Sequence, residues 1–294
     1  MPYLYLVSAL LCLSTLSIFG TAYNRKNRER KNVTALYNLL LCGSACVTWG
    51  VIYAFDFSFD ARALLYSLGF GVCYAVVMIS LIKALAKGPI ALTSLIVQLS
   101  LIGATIWGFA FWNSWNKDRA PLVLSGLVLV VISLALCLFN GSDKRHGARF
   151  SWKWLFYALL AFFANAGCSI FQKSEQIALN GEHGSMFMFF SVLLATIICT
   201  VYFIFTKKPN VKEVIIHSGV FPLLSGVGSA LGNLFVVLLA TTNLSPNLIY
   251  PAVAVGCLAI NSIASAFVFK EKLAWWQWLG ILVGAVAVTL LSIS

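Results

Sequence analysis

The chain has 294 residues, 61% of them hydrophobic and 10% charged, with a formal net charge of +11. A soluble fold could not cover that much apolar surface, and the apolar runs follow one another so closely that no room is left for a separate catalytic or binding domain. The positive charge does not point to nucleic acid, because it is confined to one set of connections between the apolar runs.

Reading for stretches of about 20 apolar residues predicts ten membrane-crossing helices. They cover 3–22, 33–55, 62–82, 89–112 and 121–140, then 154–177, 184–205, 217–240, 246–269 and 274–293. The first lacks a basic leader, and its positive charges (Arg25, Lys26, Arg28, Arg30 and Lys31) come after it, so it is expected to be retained rather than cleaved. Its polar residues are Ser8, Ser14, Thr15 and Ser17, with no carboxylate. The third segment sets Gly71 four residues before Ala75, a small-residue spacing that lets helices approach closely in lipid. Gly88-Pro89 breaks the chain before the fourth, which carries Gln98 and Trp107. A polar, turn-rich run from Asn140 to Gly147 is the clearest seam.

Beyond the seam, the sixth segment holds the densest polar set. At 100° per residue Asn165, Ser169, Gln172 and Gln176 form one stripe, with Lys173 at its margin and Glu175 nearer the interface. An ionisable residue at that depth points to function, although a lysine there can also snorkel to the headgroups. The eighth segment brings Ser225, Ser229, Asn233 and a second small pair, Gly228 and Gly232. Ser245-Pro246 opens the ninth, in which Pro251 predicts a further interruption beside Tyr250, and Asn247, Asn261, Ser262 and Ser265 follow. Asn233 and Asn261 suit bonds between helices as well as they suit a substrate. Tryptophans cluster near segment ends, Trp152, Trp154, Trp275, Trp276 and Trp278 among them, as interfacial anchors do.

A shift of 157 positions lays Gly69-x-Gly71 on Gly226-x-Gly228 and Pro89 on Pro246. Five crossings per copy is odd, so the copies must run in opposite directions. The expected fold is an all-α membrane protein of ten transmembrane helices, built as two inverted five-helix repeats (1–142 and 150–294) joined by a short linker at 141–153. Sixteen Lys and Arg fall on the odd-numbered connections and three on the even-numbered ones. The positive-inside rule then puts the odd connections in the cytoplasm and both termini outside, in the cell membrane.

The closing stretch, Lys270-Glu271-Lys272-Leu273-Ala274-Trp275-Trp276-Gln277-Trp278-Leu279-Gly280, resembles the end of the repeat in the drug/metabolite transporter superfamily. There a Glu-x-Leu turn precedes a Trp-x-Gly entering the last helix. With the Gly-Pro and Ser-Pro breaks before the fourth helix of each copy, the chain is similar to the EamA branch over nearly its whole length. The matching turn of the first copy, Trp112 to Lys117, lacks the glutamate. Studied members have cytoplasmic termini, opposite to the charge count here.

The resemblance implies a secondary transporter, an exporter of a small polar or amphipathic metabolite that alternates access between the two repeats. Candidate pathway residues are Asn165, Ser169, Gln172, Lys173, Gln176, Tyr250, Asn261, Asn233, Gln98 and Trp107, and candidate hinge or packing positions are Gly71, Ala75, Pro89, Gly228, Gly232, Pro246 and Pro251. A non-transporting scaffold or sensor, binding a partner helix along the polar stripe, remains the alternative. The aspartates lie in loops or at segment ends, the three histidines are far apart and no phosphate-binding loop is present. No enzyme, cofactor or metal is therefore expected. The expected partners are the small-molecule substrate and the lipid bilayer, and pairing into a homodimer stays open.

Overall fold

An apolar run in lipid must satisfy its own backbone polar groups, and within a single segment only a helix does so. The computed structural model describes residues 2–30, 32–100, 107, 120–139, 151–179, 182–206, 210–240 and 246–293, and among them it is helical without a strand. The helices of the first half are α1 (Pro2–Lys26), α2 (Val33–Phe55), α3 (Ala61–Leu85), α4 (Ile90–Gln98) and α5 (Ala120–Phe139). The second half has α6 (Trp152–Leu179), α7 (Gly184–Phe205), α8 (Val211–Ser218), α9 (Val220–Ala240), α10 (Pro246–Ile263), a π-helical turn (Ala264–Val268) and α11 (Trp275–Ile293). Among the described residues, α1, α2, α3, α6, α7 and α9 are long and apolar enough to cross a membrane, and Leu124–Ser133, Ala252–Val268 and Trp275–Leu290 are shorter apolar helices. The seam at 140–147 and the turn at 112–117 lie outside the described residues.

Local chemistry sets several ends. Asp60 caps α3 by accepting the Arg62 backbone N–H at 2.6 Å. The same carboxylate pairs with the Arg62 guanidinium at 3.0 Å, and these bonds hold its pKa below the ordinary aspartate value. Pro89, in extended backbone, stands immediately before α4. Two ends depart from the sequence reading. The eighth segment is preceded by a separate short helix, α8, and the break falls at Gly219, where a Cβ would sit 2.6 Å from the Ile215 carbonyl oxygen. The ninth segment runs as α-helix through Pro251, whose ring removes one backbone donor from the helix without ending it. Its irregularity comes at the other end, in the π-helical turn.

The two halves interlock, and their contacts come in matched pairs. α1 packs along α9 as α6 packs along α3. α2 packs on α9 as α7 packs on α3, and α1 meets α10 as α6 meets α4. Three contacts match themselves: α2 with α7, α4 with α10 and α5 with α11. Aromatic and aliphatic side chains of α2, α3 and α7 fill one buried cluster around Tyr37, Leu41, Phe70 and Phe187. A second surrounds Leu92, Leu95, Val130, Trp154 and Leu258 between α4, α5, α6, α10 and α11.

Glycines allow the closest approaches and show the register of the two halves. A Cβ on Gly71 would lie 2.7 Å from the Ser191 carbonyl oxygen and 3.1 Å from Leu194. One on Gly226 would run into the Leu41 carbonyl oxygen and the Ser44 hydroxyl. Ser191 and Leu194 stand 150 positions after Leu41 and Ser44, and Gly226 stands 155 after Gly71. The contact-equivalent partner of Gly226 is therefore Gly71, not Gly69, and no single offset of 157 holds. The connections differ in length, 56–60 against 206–219 with α8 inside it, so the register moves from helix to helix. Gly228 abuts Thr15 and Gly232 abuts Leu13, both on α1, while Ala75 is fully buried.

Candidate functional site

The predicted α6 stripe divides between interior and surface. Asn165 donates from Nδ2 to Ser100 Oγ at 2.7 Å, and Ser169 donates to the Asn165 carbonyl at 3.2 Å. Gln172 is half-buried, whereas Lys173 and Gln176 are exposed. Glu175, expected nearer the interface, is buried, and its Oε1 has no hydrogen-bond partner. Gln98 ends α4 half-buried, and Trp107 is exposed. Asn233 donates to the Ser229 carbonyl of its own helix at 2.8 Å. Pro246, Tyr250 and Pro251 fall in the opening turns of α10, and their side chains lie outside the described residues.

Asn261 leads to a different polar track. Its Nδ2 donates to Ser94 Oγ at 3.1 Å, and Ser94 in turn donates to Ser17 Oγ at 3.5 Å, joining α10, α4 and α1. The Ser14 hydroxyl and Asn261 Oδ1 are buried there without partners. Ser14, Ser17, Thr21, Asn24 and Arg25 fall within about 100° of arc on α1 at 3.6 residues per turn, and Arg28 follows in the turn beyond its end. The first four are buried. Polar residues on one face of an otherwise apolar helix mark the face turned away from lipid. The 3.6-residue rhythm was available in the sequence, but small hydroxyls stand out less than the amides and lysine of α6.

One turn beyond Ser17 on the same face, Thr21 and Asn24 line a cavity of about 680 Å³, bounded by the end of α1, the α3–α4 turn and residues 269–272. One carboxylate organises its wall. Glu271 Oε1 pairs with Arg25 Nη2 at 2.8 Å, and Oε2 accepts from the Ile90 backbone N–H at 3.0 Å and from Ser265 Oγ at 2.6 Å. The Ile90 amide opens α4, so the carboxylate faces the positive end of that helix's dipole. Arg25 also donates to the Phe269 carbonyl at 2.7 Å and lies 4.8 Å from the centroid of its ring. Backbone irregularity gathers at the same place. The π-helical turn ends at Val268, and Lys270 takes a left-handed conformation with φ 51. Such turns and such non-glycine residues are uncommon and concentrate at functional sites.

Trp154, expected at the interface, is instead buried. It donates from Nε1 to Thr93 Oγ1 at 2.9 Å, and its ring fills the space where a Cβ on Gly88 would stand. Trp152 and Trp275 keep the exposure of interfacial residues.

No family profile and no curated protein matches the chain. A solved structure described only as "Crystal structure of protein" aligns with 98% of this chain and 95% of its own, at a TM-score of 0.57 and 12% identity. That likeness shows a shared fold over nearly the full length.

Proposed function

We propose that the chain is a secondary transporter of ten membrane crossings, arranged as two inverted five-helix repeats that alternate access to a central path. Matched packing between the halves supports the repeat arrangement, since repeats of opposite topology meet around a pseudo-twofold axis and carry the substrate site between them. The observation that carries the reading is the buried polar track of Asn261, Ser94, Ser17 and Ser14, on the same face of α1 as Thr21 at the cavity wall. It joins helices of both halves, and its buried hydroxyl and amide groups retain unmet bonding capacity.

The cargo is a small polar or amphipathic metabolite, exported across the cell membrane, with the basic ends of α1 and α3 on the cytoplasmic side. Asn165, Ser169 and Gln172 would border the path from α6. Glu271 would act as a tie across the cytoplasmic ends of α1, α4 and α10. Flux of candidate metabolites into liposomes holding the purified chain tests the reading. Asn261→Leu and Ser17→Ala should each lower flux by about tenfold, the effect of one lost polar contact in a desolvated path. Undiminished flux in both variants would remove the track from the pathway.

A further inference from the structure

We propose that the cavity at the basic ends of α1 and α3 is a binding site for a soluble organic polyanion carrying phosphate or carboxylate groups. Its charge is lopsided. Arg25, Arg28, Lys87, Lys270 and Lys272 line it against the single carboxylate of Glu271. That carboxylate is already engaged by Arg25, the Ile90 amide and Ser265. Arg28, Lys87, Lys270 and Lys272 make no ion pair among the described residues.

Four like charges around one concavity repel one another and focus a positive potential into it. A ligand with two or more negative charges relieves that repulsion, and a neutral one does not. The left-handed turn at Lys270 places Lys270 and Lys272 on either side of the anchored Glu271.

A second observation points to a ligand. Thr21 lines the cavity with 2% of its surface exposed, and its hydroxyl has no hydrogen-bond partner. Several buried serine and threonine hydroxyls on helices return to the carbonyl one turn back, as Ser67, Thr93 and Ser191 do. A buried donor with nothing to receive its hydrogen is costly unless an occupant supplies the acceptor. Phosphate and carboxylate oxygens do that. The volume suits a metabolite, since small-molecule sites span about 300–1,000 Å³.

An anionic lipid headgroup offers the same oxygens, so the test must separate the two sources. Binding of glucose 6-phosphate, citrate and uncharged glucose to the purified full chain in neutral detergent would be followed by intrinsic tryptophan fluorescence and calorimetry. In parallel, anionic phosphatidylglycerol vesicles would be titrated as competitor. The two anions should bind and glucose should not, with affinity falling as salt rises.

Lys87→Gln combined with Lys272→Gln should weaken anion binding by about tenfold or more, the effect of a lost charged hydrogen bond. Both side chains are exposed, so the fold is not at stake. Thr21→Val should weaken binding severalfold while raising the unfolding temperature, because it deletes an unpartnered hydroxyl. A merely structural Thr21 would move neither binding nor its salt dependence. Equal binding of glucose and the anions, or protection by phosphatidylglycerol with no response to either soluble anion, would overturn the proposal. Taking the bound anion as the cargo rests on the transporter reading. Anion binding without flux sinks that reading alone, and flux of neutral solutes without anion binding sinks this one alone.

Discussion

Single residues decide how closely the helices approach. Gly226 sits where the α9 backbone touches α2, and any side chain there meets a carbonyl oxygen that cannot move without its helix. Gly226→Leu should destabilise the protein by about 1–3 kcal/mol, the usual cost of overpacking. Gly43 meets nothing within 4 Å of an added Cβ, so Gly43→Ala should be neutral or stabilising by up to about 1 kcal/mol through helix propensity. Thermal unfolding in detergent separates the two. Trp154 makes a second case. Trp154→Phe keeps the ring against Gly88 but deletes the donor to Thr93, and should cost about 1 kcal/mol. The sequence placed Trp154 at a helix end, where tryptophans anchor at the headgroups. It could not show that the α3–α4 turn passes beside it with a glycine, Gly88, that makes room for the ring. Trp152, two residues away on a different face, does keep interfacial exposure.

Helices were the most legible level, because about 20 apolar residues in succession leave the backbone no alternative in lipid. α2 and α7 begin and end where the hydropathy does. What hydropathy missed are the departures from ideal helix. The π-helical turn is one extra residue accommodated without changing composition, and the left-handed Lys270 follows from tertiary bonds to Glu271 and Phe269 rather than from its own type. The Glu271 turn was visible as a motif, but its role as a tie between α1, α4 and the π-helical turn depends on contacts across 181 and 246 residues of chain. Glu271→Gln keeps the shape and removes the charge. It should destabilise by about 1–2 kcal/mol, a discounted figure because Arg25 keeps nearly half its side chain in solvent. Ser265→Ala removes one of three bonds and should cost less. Chemical denaturation of both variants measures the order. Equal stability of Glu271→Gln and the parent would show that the tie contributes nothing to the fold.

At the scale of the molecule, the matched packing of the two halves fits the proposed duplication, and its register was not legible. A constant offset finds Gly-x-Gly twice, yet the contacts pair Gly71 with Gly226 and Leu41 with Ser191, because connections of unequal length slide one helix against the next. The same arrangement constrains orientation. Arg25, Arg28, Lys87, Lys270 and Lys272 converge on one cavity, so these basic residues of the first, third and ninth connections share one end of the bundle. At that end Asn27 bonds Ser218 and Arg30 pairs with Glu213, which brings the seventh connection there as well. Positive charge is retained on the cytoplasmic side during insertion, and the proposed ten crossings would then leave both termini on the other side. A protease-sensitive tag after Ser294 should be cut on intact cells, and one inserted at 207–209 should be cut only after permeabilisation. The reverse pattern would place the cation-lined cavity outside. An exporter would then meet that cavity on release rather than on capture, so the tag experiment also decides which step of transport the basic residues serve.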